Sequence, residues 1–328
     1  MNIAIVGATG LVGSTFLKVL EEKKFKIENL YLLASKNSAG KVISFMGKEY
    51  TVEELTSKSF DRDIDIALFS AGGEISKIYA PIAAQRGVLV IDNSSAWRMN
   101  EDVPLIVPEV NPNDAFKHKG IISNPNCSTI QCTLPLKALD INFGVKRVIF
   151  NTYQAVSGSG IKGIRDLEEG LKGAAPTNYP HPIVNNCLPH IDTFLEDGYT
   201  KEEKKMIDET RKILNKKDLA ITATCVRVPV LNSHSVSITV ELEKDFDVED
   251  IRDILCNFPG IILVDNPKEN KYPMAIDATG QDKVLVGRIR RDYSAKNSLN
   301  LWVVADNIRK GAASNAIQIA ELFQNLKK

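Results

Sequence analysis

The sequence predicts an α/β protein with a parallel-sheet domain followed by an α+β domain on a mixed sheet. Three observations predict it. The chain opens with a strand, a glycine-rich turn and a helix around Gly7-Ala8-Thr9-Gly10-Leu11-Val12-Gly13. Short apolar runs then alternate with helical stretches to about Ser123, and from Lys146 the strands become longer and alternating. At 328 residues the chain exceeds the size at which one core usually keeps growing.

The first half of the chain has the order of βαβ units. Apolar runs predict strands at 3–6, 30–34, 64–69 and 88–91, and helical spacing predicts helices at 11–22 and 76–86. Strands that read as continuous apolar runs are typical of an open parallel sheet buried on both faces. We therefore expect a first domain over residues 1–125.

The second half predicts a different sheet. Alternating strands are expected at 146–153, 220–228, 235–243 and 299–305, in a second domain over residues 126–306. Residues 307–326 have helical spacing of apolar side chains, so we expect a helix over 307–328 that packs back on the first domain. Pro135 lies inside the helix predicted after Cys127 and predicts a bend or an early end there.

Composition excludes several classes of function. Lys plus Arg equals Asp plus Glu at 41 each, so no long-range field attracts nucleic acid or an anionic membrane. No apolar run approaches the roughly 20 residues of a membrane helix. The 5 cysteines are scattered without a CxxC pair, which argues against disulfides and zinc and favours a reducing, cytoplasmic setting. No other metal site is predicted.

The glycine-rich turn predicts a dinucleotide-binding loop, the mark of a Rossmann-type domain. Gly7, Gly10 and Gly13 follow an apolar strand and open an amphipathic helix. Glycine permits a tight turn and a close approach of backbone to a pyrophosphate, whose charge the helix N-terminus favours. The alternative is a tight turn that binds no ligand.

The residues after the strand at 30–34 indicate which nicotinamide cofactor binds. An acidic residue there would bond to the ribose hydroxyl of NAD and repel the phosphate of NADP. The run Ser35-Lys36-Asn37-Ser38, with Lys41 nearby, contains no carboxylate. NADP is therefore the predicted cofactor, and the alternative for this polar cluster is a solvated loop.

Cys127 is the predicted nucleophile. It lies in Ser123-Asn124-Pro125-Asn126-Cys127-Ser128-Thr129, between a short apolar stretch and the first turn of a predicted helix. Unpaired N–H groups and the helix dipole favour a thiolate there and can hold a developing oxyanion. The alternative is a small buried core residue, a common setting for cysteine. A thiol in this place and a dinucleotide loop in one chain indicate an acyl-enzyme dehydrogenase.

Four further segments carry unusual polar residues: Asn93-Ser94-Ser95-Ala96-Trp97-Arg98, Gln154-Ala155-Val156-Ser157-Gly158-Ser159-Gly160, Glu209-Thr210-Arg211-Lys212 and residues 227–234. With the run around Cys127 they resemble aspartate-semialdehyde dehydrogenase, from the first glycine loop to the final helix. The most specific matches are the Cys127 run, Gln154-Ala-Val-Ser-Gly and Ser94-Ser-Ala-Trp-Arg98.

The resemblance implies an activity and a set of site residues. Members of this family reduce L-4-aspartyl phosphate to L-aspartate 4-semialdehyde with NADPH, on the route to lysine, threonine, methionine and isoleucine. By resemblance, Cys127 is the nucleophile that forms a thioester and His234 is the acid/base group. Gln154 would position the substrate, Arg227 and Glu209 would meet its α-carboxylate and ammonium, and Arg98, Lys212 and Asn126 would bind its phosphate.

The family also implies a homodimer through the second domain. The cofactor-binding residues that we expect are Gly7, Thr9, Gly10, Leu11, Val12, Gly13, Ser35, Lys36, Ser38, Ala71, Ser157, Gly158 and Asn307.

The residue types suit these roles, although each has an ordinary interpretation as well. Arginine binds both oxygens of a planar carboxylate, and lysine suits phosphate as a point charge. His234 shares strand parity with Val236 and Ile238, as a structural histidine would. Glu209 and Lys212 could form a helix surface pair, and Gln154 could cap a strand end.

Two other functions stay open from sequence. One is a reductase of another acyl phosphate or acyl-CoA, such as N-acetylglutamyl phosphate or malonyl-CoA. The other is a nicotinamide-binding protein without catalysis. Glu209 and Arg227 argue against the first, because a free ammonium calls for a carboxylate and an acetylated amine does not.

Overall fold

A computed structural model describes residues 1–324 of the chain. The chain divides into two compact units. One comprises Met1–Asn126 together with the chain from Ala312 onward, and the other is Cys127–Gly311. Over residues 1–324, no helix combines the length and the apolar character needed to cross a bilayer.

The first unit contains a six-stranded sheet in the order β5-β2-β1-β6-β7-β8, with all neighbouring strands parallel. From β1 the chain continues to β2 on one side of the sheet and later places β6 on the other side. Dinucleotides bind beside the carboxyl ends of the strands at such a topological switch point. The predicted parallel α/β architecture is confirmed. A separate hairpin of β3 and β4 was not predicted, because its residues are mostly exposed and lack an apolar run. The elements are β1 (Asn2–Val6), α1 (Leu11–Glu22), β2 (Asn29–Ala34), β3 (Val42–Phe45), β4 (Lys48–Thr51), β5 (Glu53–Glu54), β6 (Ile66–Phe69), α2 (Gly73–Gln85), β7 (Leu89–Asp92) and β8 (Ile121–Ser123).

The central strand β1 is buried along its whole length, because both faces of the sheet are covered. Alternate residues point to opposite faces. Ile3 and Ile5 join one core cluster with Phe16 of α1, whereas Ala4 and Val6 join the cluster on the other face. This packing explains why the strand is uniformly apolar.

The second unit contains a mixed six-stranded sheet in the order β10-β9-β11-β14-β13-β12, as predicted. The two outer pairs are parallel and the central pairings are antiparallel. The elements are α3 (Cys127–Phe143), β9 (Val145–Gln154), α4 (Gly160–Gly170), α5 (Lys201–Leu214), β10 (Ala220–Arg227), β11 (His234–Leu242), α6 (Val248–Asn257), β12 (Ile261–Leu263), α7 (Ala275–Ala278), β13 (Val284–Asp292) and β14 (Ser298–Ala305).

Strand register gathers polar residues at one edge of this sheet. Gln154 ends β9 and pairs in register with Arg227, which ends β10. His234 begins β11, and its neighbour Ser235 pairs with Tyr153 across the antiparallel β9. Three candidate site residues far apart in sequence therefore lie at the same end of three adjacent strands.

The C-terminal helix α8 (Ser314–Gln324) packs on the first unit. Ala316, Ile317 and Ile319 belong to the same core cluster as Ile3 and Phe16. The helix was expected from residue 307, but a π-helical turn over Arg309–Ala313 precedes it. The last residues of the predicted helix, 325–328, lie outside the described residues.

The predicted early end of the helix at Pro135 is wrong, because α3 continues to Phe143. Proline removes one helical hydrogen bond at a cost of about 3 kcal/mol. Leu134, Leu136 and Leu139 are fully buried around it. Burial of each large apolar side chain stabilises by about 1.5–3 kcal/mol, so together they outweigh the lost bond.

Candidate active site

The thiol of Cys127 lies at the start of a helix and is half-buried. Cys127 is the first residue of α3, at the end of the helix where the N–H groups have no intrahelical partner. Cys132 and Cys225 are completely buried, and burial raises the pKa of both thiols. Among these three thiols, only that of Cys127 has the partial exposure and the helix N-terminus that a reactive thiolate requires.

The backbone of Gly311 packs against Cys127. A Cβ atom on Gly311 would lie 2.8 Å from Cβ of Cys127 and 3.2 Å from its Cα. Carbon atoms normally approach to about 3.5–4.0 Å, so a side chain at 311 would displace the start of α3. Nothing in the local sequence shows which distant residue Gly311 contacts, and pattern reasoning therefore misses it.

Ala155 holds two of the predicted site residues through its peptide groups. Its N–H donates to Nδ1 of His234 at 3.0 Å, and its carbonyl accepts from Nη1 of Arg227 at 2.6 Å. Gly158 lies beside the same two side chains, because a Cβ there would be 2.9 Å from Arg227 Nη1 and 3.1 Å from His234 Nε2. The chain around residue 155 therefore sets the positions of both.

The hydrogen bond from Ala155 fixes the proton of His234. A ring nitrogen that accepts an N–H carries no proton, so the neutral ring is protonated at Nε2. Burial, and then the positive charge of Arg227, lower the pKa of His234 well below its ordinary value. Nε2 is buried and has no hydrogen-bond partner within residues 1–324. This side chain, expected to be an acid/base group, thus presents an unused N–H donor.

Arg227 also keeps an unused donor. Its Nε is buried without a partner in the part of the chain that the structure describes, and the residue is only 4% exposed. A buried donor left unpaired costs about 1–3 kcal/mol. A ligand carboxylate would satisfy it and, because the guanidinium is planar, could bind a second N–H at the same time.

Gln154 is buried at the end of β9, and its amide is held at both ends. Its Oε1 accepts from Oγ1 of Thr152 at 3.0 Å, and its Nε2 donates to Oε1 of Glu202 at 3.1 Å. Thr152 and Glu202 were not predicted as site residues. Their role depends on contacts that only the folded sheet and helix create.

Asn307 and Ser157 belong to a buried network that shapes the turn before His234. Asn307 Oδ1 accepts from the N–H of Ser233 at 2.9 Å, and its Nδ2 donates to Oγ of Ser157 at 3.0 Å. Ser233 has a φ of +73°, a conformation that costs free energy in a residue other than glycine. These two residues, expected to bind the cofactor, therefore hold the strained start of β11.

Glu209 and Lys212 lie on helix α5, which begins with a capping box. Oγ1 of Thr200 accepts from the N–H of Glu203, and Oε2 of Glu203 accepts from the N–H of Thr200. Glu209 is only 1% exposed, so its carboxylate does not lie on the solvent-exposed surface of the helix. A buried carboxylate followed by a half-buried lysine suits a ligand that carries both signs of charge.

In the first unit, backbone carbonyls orient Arg98. Its Nε donates to the carbonyl of Asn124 at 3.0 Å and its Nη2 to the carbonyl of Asn93 at 2.7 Å. The side chain of Asn124 accepts in turn from Asn315 of α8 at 2.7 Å. Arg98 and the nearby Asn126 are both buried. The C-terminal helix therefore supports the segment that leads to Cys127.

The glycine loop fits a dinucleotide pyrophosphate. Gly7 has a φ of +87°, and a Cβ there would lie 2.5 Å from the carbonyl oxygen of Ser70. A Cβ on Gly13 would lie 2.1 Å from the carbonyl oxygen of Gly7. Gly10 caps α1 without a side-chain bond, and the first turn contains no acidic residue. Bare N–H groups at a helix N-terminus are what an anion requires.

Two loops adjoin this glycine loop. Ala71 follows β6, and its nitrogen is 3.1 Å from the position that a Cβ on Gly7 would take. After β2, Lys36 is exposed in a short 3₁₀ turn, and Oγ1 of Thr9 donates to Oγ of Ser38 at 3.3 Å. The fold also adds a carboxylate that local sequence did not place here, because Glu54 of β5 pairs in register with Ala34 at the end of β2. A basic and an acidic side chain, Lys36 and Glu54, therefore both follow or flank the end of β2.

Each unit thus gathers its own part of the predicted site. In the second unit, residues from β9, β10, β11 and the segment before α8 meet at one sheet edge, and Nε2 of Gln131 ties α3 to it by donating to the carbonyl of His234 at 3.1 Å. Within residues 1–324, no group of His, Cys, Asp and Glu could hold a metal ion. Supporting residues that sequence reasoning missed are Asn124, Gln131, Thr152, Glu202, Gly311 and Asn315.

Comparison with known proteins supports a single family. Residues 2–118 match the model of the semialdehyde dehydrogenase NAD binding domain, and residues 136–310 match that of the semialdehyde dehydrogenase dimerisation domain. Aspartate-semialdehyde dehydrogenase of Aquifex aeolicus is 58% identical, over 98% of this chain and 97% of that protein.

Similar solved structures come from the same family. Aspartate semialdehyde dehydrogenase II of Vibrio cholerae, complexed with ASA, has a TM-score of 0.94 and 46% identity, covering 99% of this chain and 98% of that chain. The enzyme from Candida albicans, solved with NADP, has a TM-score of 0.77 and 25% identity, covering 98% of each chain.

Proposed function

This chain belongs to the aspartate-semialdehyde dehydrogenase family, and we propose that it reduces L-4-aspartyl phosphate to L-aspartate 4-semialdehyde with NADPH through a thioester on Cys127. It is an oxidoreductase of amino-acid biosynthesis, and we place it on the route to lysine, threonine, methionine and isoleucine. The observation that carries the mechanism is the sheet edge where Gln154, Arg227 and His234 meet, in the same unit as a half-buried thiol at a helix N-terminus.

The thiolate of Cys127 attacks the acyl carbon of the substrate. A C–S bond forms, the C–O bond to phosphate breaks, and phosphate leaves with the electron pair. The cofactor, when bound, supplies a hydride to the resulting thioester. The alkoxide that remains on Cys127 then collapses, which breaks the C–S bond, releases the aldehyde and regenerates the thiolate. The one proton of the net reaction ends on phosphate.

His234 serves this sequence as a hydrogen-bond donor. Both tetrahedral intermediates carry negative charge on the former carbonyl oxygen, and both collapse without a proton being added to that oxygen. A neutral ring with its N–H at Nε2 stabilises such an oxyanion without giving the proton up. The role that the geometry supports is therefore narrower than the acid/base role implied by resemblance.

Charged residues recognise the two ends of the substrate. We assign the α-carboxylate to Arg227, whose buried Nε has no partner among the described residues. The ammonium is assigned to the buried carboxylate of Glu209, and the phosphate to Arg98, Asn126 and Lys212. Gln154 positions the reacting group.

We further propose NADP as the cofactor, held by the glycine loop, Ala71 and the loop at Ser35, Lys36 and Ser38. The exposed ammonium of Lys36 would meet the ribose phosphate. Ser157, Gly158 and Asn307 complete the set, the first and last by shaping the turn before His234.

A homodimer through the second unit is also proposed. The matched family domain is a dimerisation domain, and the sheet of this unit carries a cavity of about 540 Å³ lined by Tyr153, Tyr272, Arg290 and Trp302. Tyr153 of β9 and Tyr272 of the loop before α7 are 40% and 39% exposed, so this cavity has an exposed aromatic lining that a partner subunit could cover. Sedimentation of wild type and Tyr153→Asp tests this proposal: a dimer that the variant weakens supports it, and a wild-type monomer at micromolar concentration contradicts it.

The activity itself is tested by supplying aspartate semialdehyde with NADP or NAD, with and without phosphate. We expect phosphate-dependent formation of NADPH, abolished by Cys127→Ala. Activity only on N-acetylglutamate semialdehyde or an acyl-CoA would contradict the substrate assignment. Equal activity with NAD would contradict the cofactor assignment alone.

A further inference from the structure

A chain of hydrogen bonds runs from Gln154 to the surface of the second unit. Nε2 of Gln154 donates to Oε1 of Glu202 at 3.1 Å, and Nζ of Lys205 donates to Oε2 of the same carboxylate at 3.0 Å. Nζ of Lys205 also donates to Oδ2 of Asp192 at 2.7 Å. Gln154 and Glu202 are 1% and 5% exposed, whereas Lys205 and Asp192 are partly open to solvent.

The chemistry of these groups dictates which end of the Gln154 amide points which way. An ionised carboxylate only accepts hydrogen bonds, so the NH₂ end must face Glu202. The oxygen end then faces the hydroxyl of Thr152, which donates to it at 3.0 Å. Burial lowers the pKa of Lys205, but the carboxylates of Glu202 and Asp192 outweigh this and raise it above the ordinary value. Lys205 therefore stays charged and forms an ion pair with Glu202 at 3.0 Å.

We propose that Glu202 is a positioning residue that fixes the orientation of the Gln154 amide, with Lys205 as the charge that holds Glu202 in its accepting form. The proposal rests on the role assigned above to Gln154 in positioning the substrate. Because one N–H and one lone pair of that amide remain for a ligand, exchanging the two ends would present an acceptor where the substrate meets a donor.

The substitution Glu202→Gln tests this orientation. The shape of the side chain is unchanged, but only one end of the introduced amide accepts. The positive charge of Lys205 demands that end, so the NH₂ of the introduced amide faces Gln154. Gln154 must then turn its own oxygen towards it, and the Thr152 hydroxyl can accept from the reversed NH₂. We expect kcat to fall about tenfold to a hundredfold, as misplaced positioning groups do.

A second substitution should restore the activity. In Glu202→Gln with Lys205→Met, no cation competes for the oxygen of the introduced amide, so that oxygen can face Gln154 and restore the original orientation. We expect kcat to recover to within about threefold of the Lys205→Met single variant, given the usual size of residual positioning losses. The matched control is Glu202→Gln with Lys204→Met. Lys204 is the residue before Lys205 on α5, but it pairs with Asp197, so its substitution should not restore kcat.

The outcomes separate this inference from the proposed function. Loss of kcat in Glu202→Gln, with rescue by Lys205→Met and none by Lys204→Met, supports the positioning role. Unchanged kcat in Glu202→Gln, or equal rescue by both lysine variants, overturns it. Gln154→Ala is measured alongside: if it retains full activity, the role assigned to Gln154 fails first. Thermal unfolding of each variant separates a reoriented amide from a damaged fold, since the rescue must occur in kcat and not only in stability.

Discussion

His234 is the residue whose environment most constrains the chemistry. Its Nδ1 accepts from Ala155, so a second proton could enter only by breaking that hydrogen bond. Burial and Arg227 oppose the same proton, and they lower the pKa of His234. An ion pair between a thiolate and an imidazolium is therefore disfavoured, and the residue is suited to donating from Nε2.

This environment predicts a pH dependence of stability. The unfolded His234 takes up a proton near pH 6.5, whereas the folded ring does not, so its contribution to the free energy of unfolding is lost as pH falls below about 6.5. The loss is limited to about 1.4 kcal/mol per pH unit. His234→Asn keeps an acceptor for Ala155 without a titrating group. Urea unfolding between pH 7.5 and 5.5 should show wild type losing more stability than the variant, and parallel losses would be evidence against a neutral buried ring.

A second prediction for a single residue concerns Lys36, which we propose selects NADP. Lys36→Glu replaces the cation expected at the ribose phosphate by an anion next to Glu54. We expect kcat/KM with NADP to fall about tenfold or more, with little change for NAD, because only NADP bears the phosphate. Lys18→Glu makes the same change of charge on the exposed face of α1 and serves as the control. A similar loss with both cofactors, or none with NADP, would refute the assignment.

At the scale of elements, the start of α3 is set by a glycine. Gly311→Ala would place a methyl group 2.8 Å from Cβ of Cys127 and push the first turn of the helix aside. Small shifts at a reacting group can cost about a hundredfold in rate. We expect slower alkylation of Cys127 by iodoacetamide and a loss of kcat, with a smaller change in KM. Unaltered alkylation and turnover would show that this contact does not position the thiol.

A helix or strand can be predicted from sequence when its own residues carry the pattern, and not when it depends on contacts with distant parts of the chain. The strands of the first sheet were predictable because burial on both faces makes them continuously apolar, as in β1. The edge strand β5 has only Glu53–Glu54 and carries no such pattern. The helix does not end early at Pro135, one of the two outcomes predicted there, because the packing of α3 inside the second unit outweighs the helix-breaking effect of proline.

In the candidate site, too, some residues can be predicted from sequence and others only from the fold. Cys127 was predicted from its place at a helix N-terminus, whereas the roles of Gln154 and His234 were inferred by resemblance to a family. Their supports, such as Glu202 for Gln154 and Ala155 for His234, depend on register and on contacts between residues about 50 to 80 positions apart. The local sequence around each residue does not show which distant residue it will contact.

At the scale of the whole molecule, the predicted site residues are divided between two compact units. The first has the switch point and glycine loop of a dinucleotide-binding domain, completed by α8. The second has the Cys127 thiol and the sheet edge where three strands bring together Gln154, Arg227 and His234.

Trapping the covalent intermediate tests this account most directly. The enzyme is mixed with aspartate semialdehyde and NADP in the absence of phosphate, NADPH is followed in the first turnover, and the acid-quenched protein is mapped by mass spectrometry. We predict a burst of about one NADPH per active site, as acyl-enzyme accumulation produces, and an aspartyl adduct on Cys127 that phosphate discharges. Turnover without an adduct on Cys127, or a burst that survives in Cys127→Ala, would contradict it.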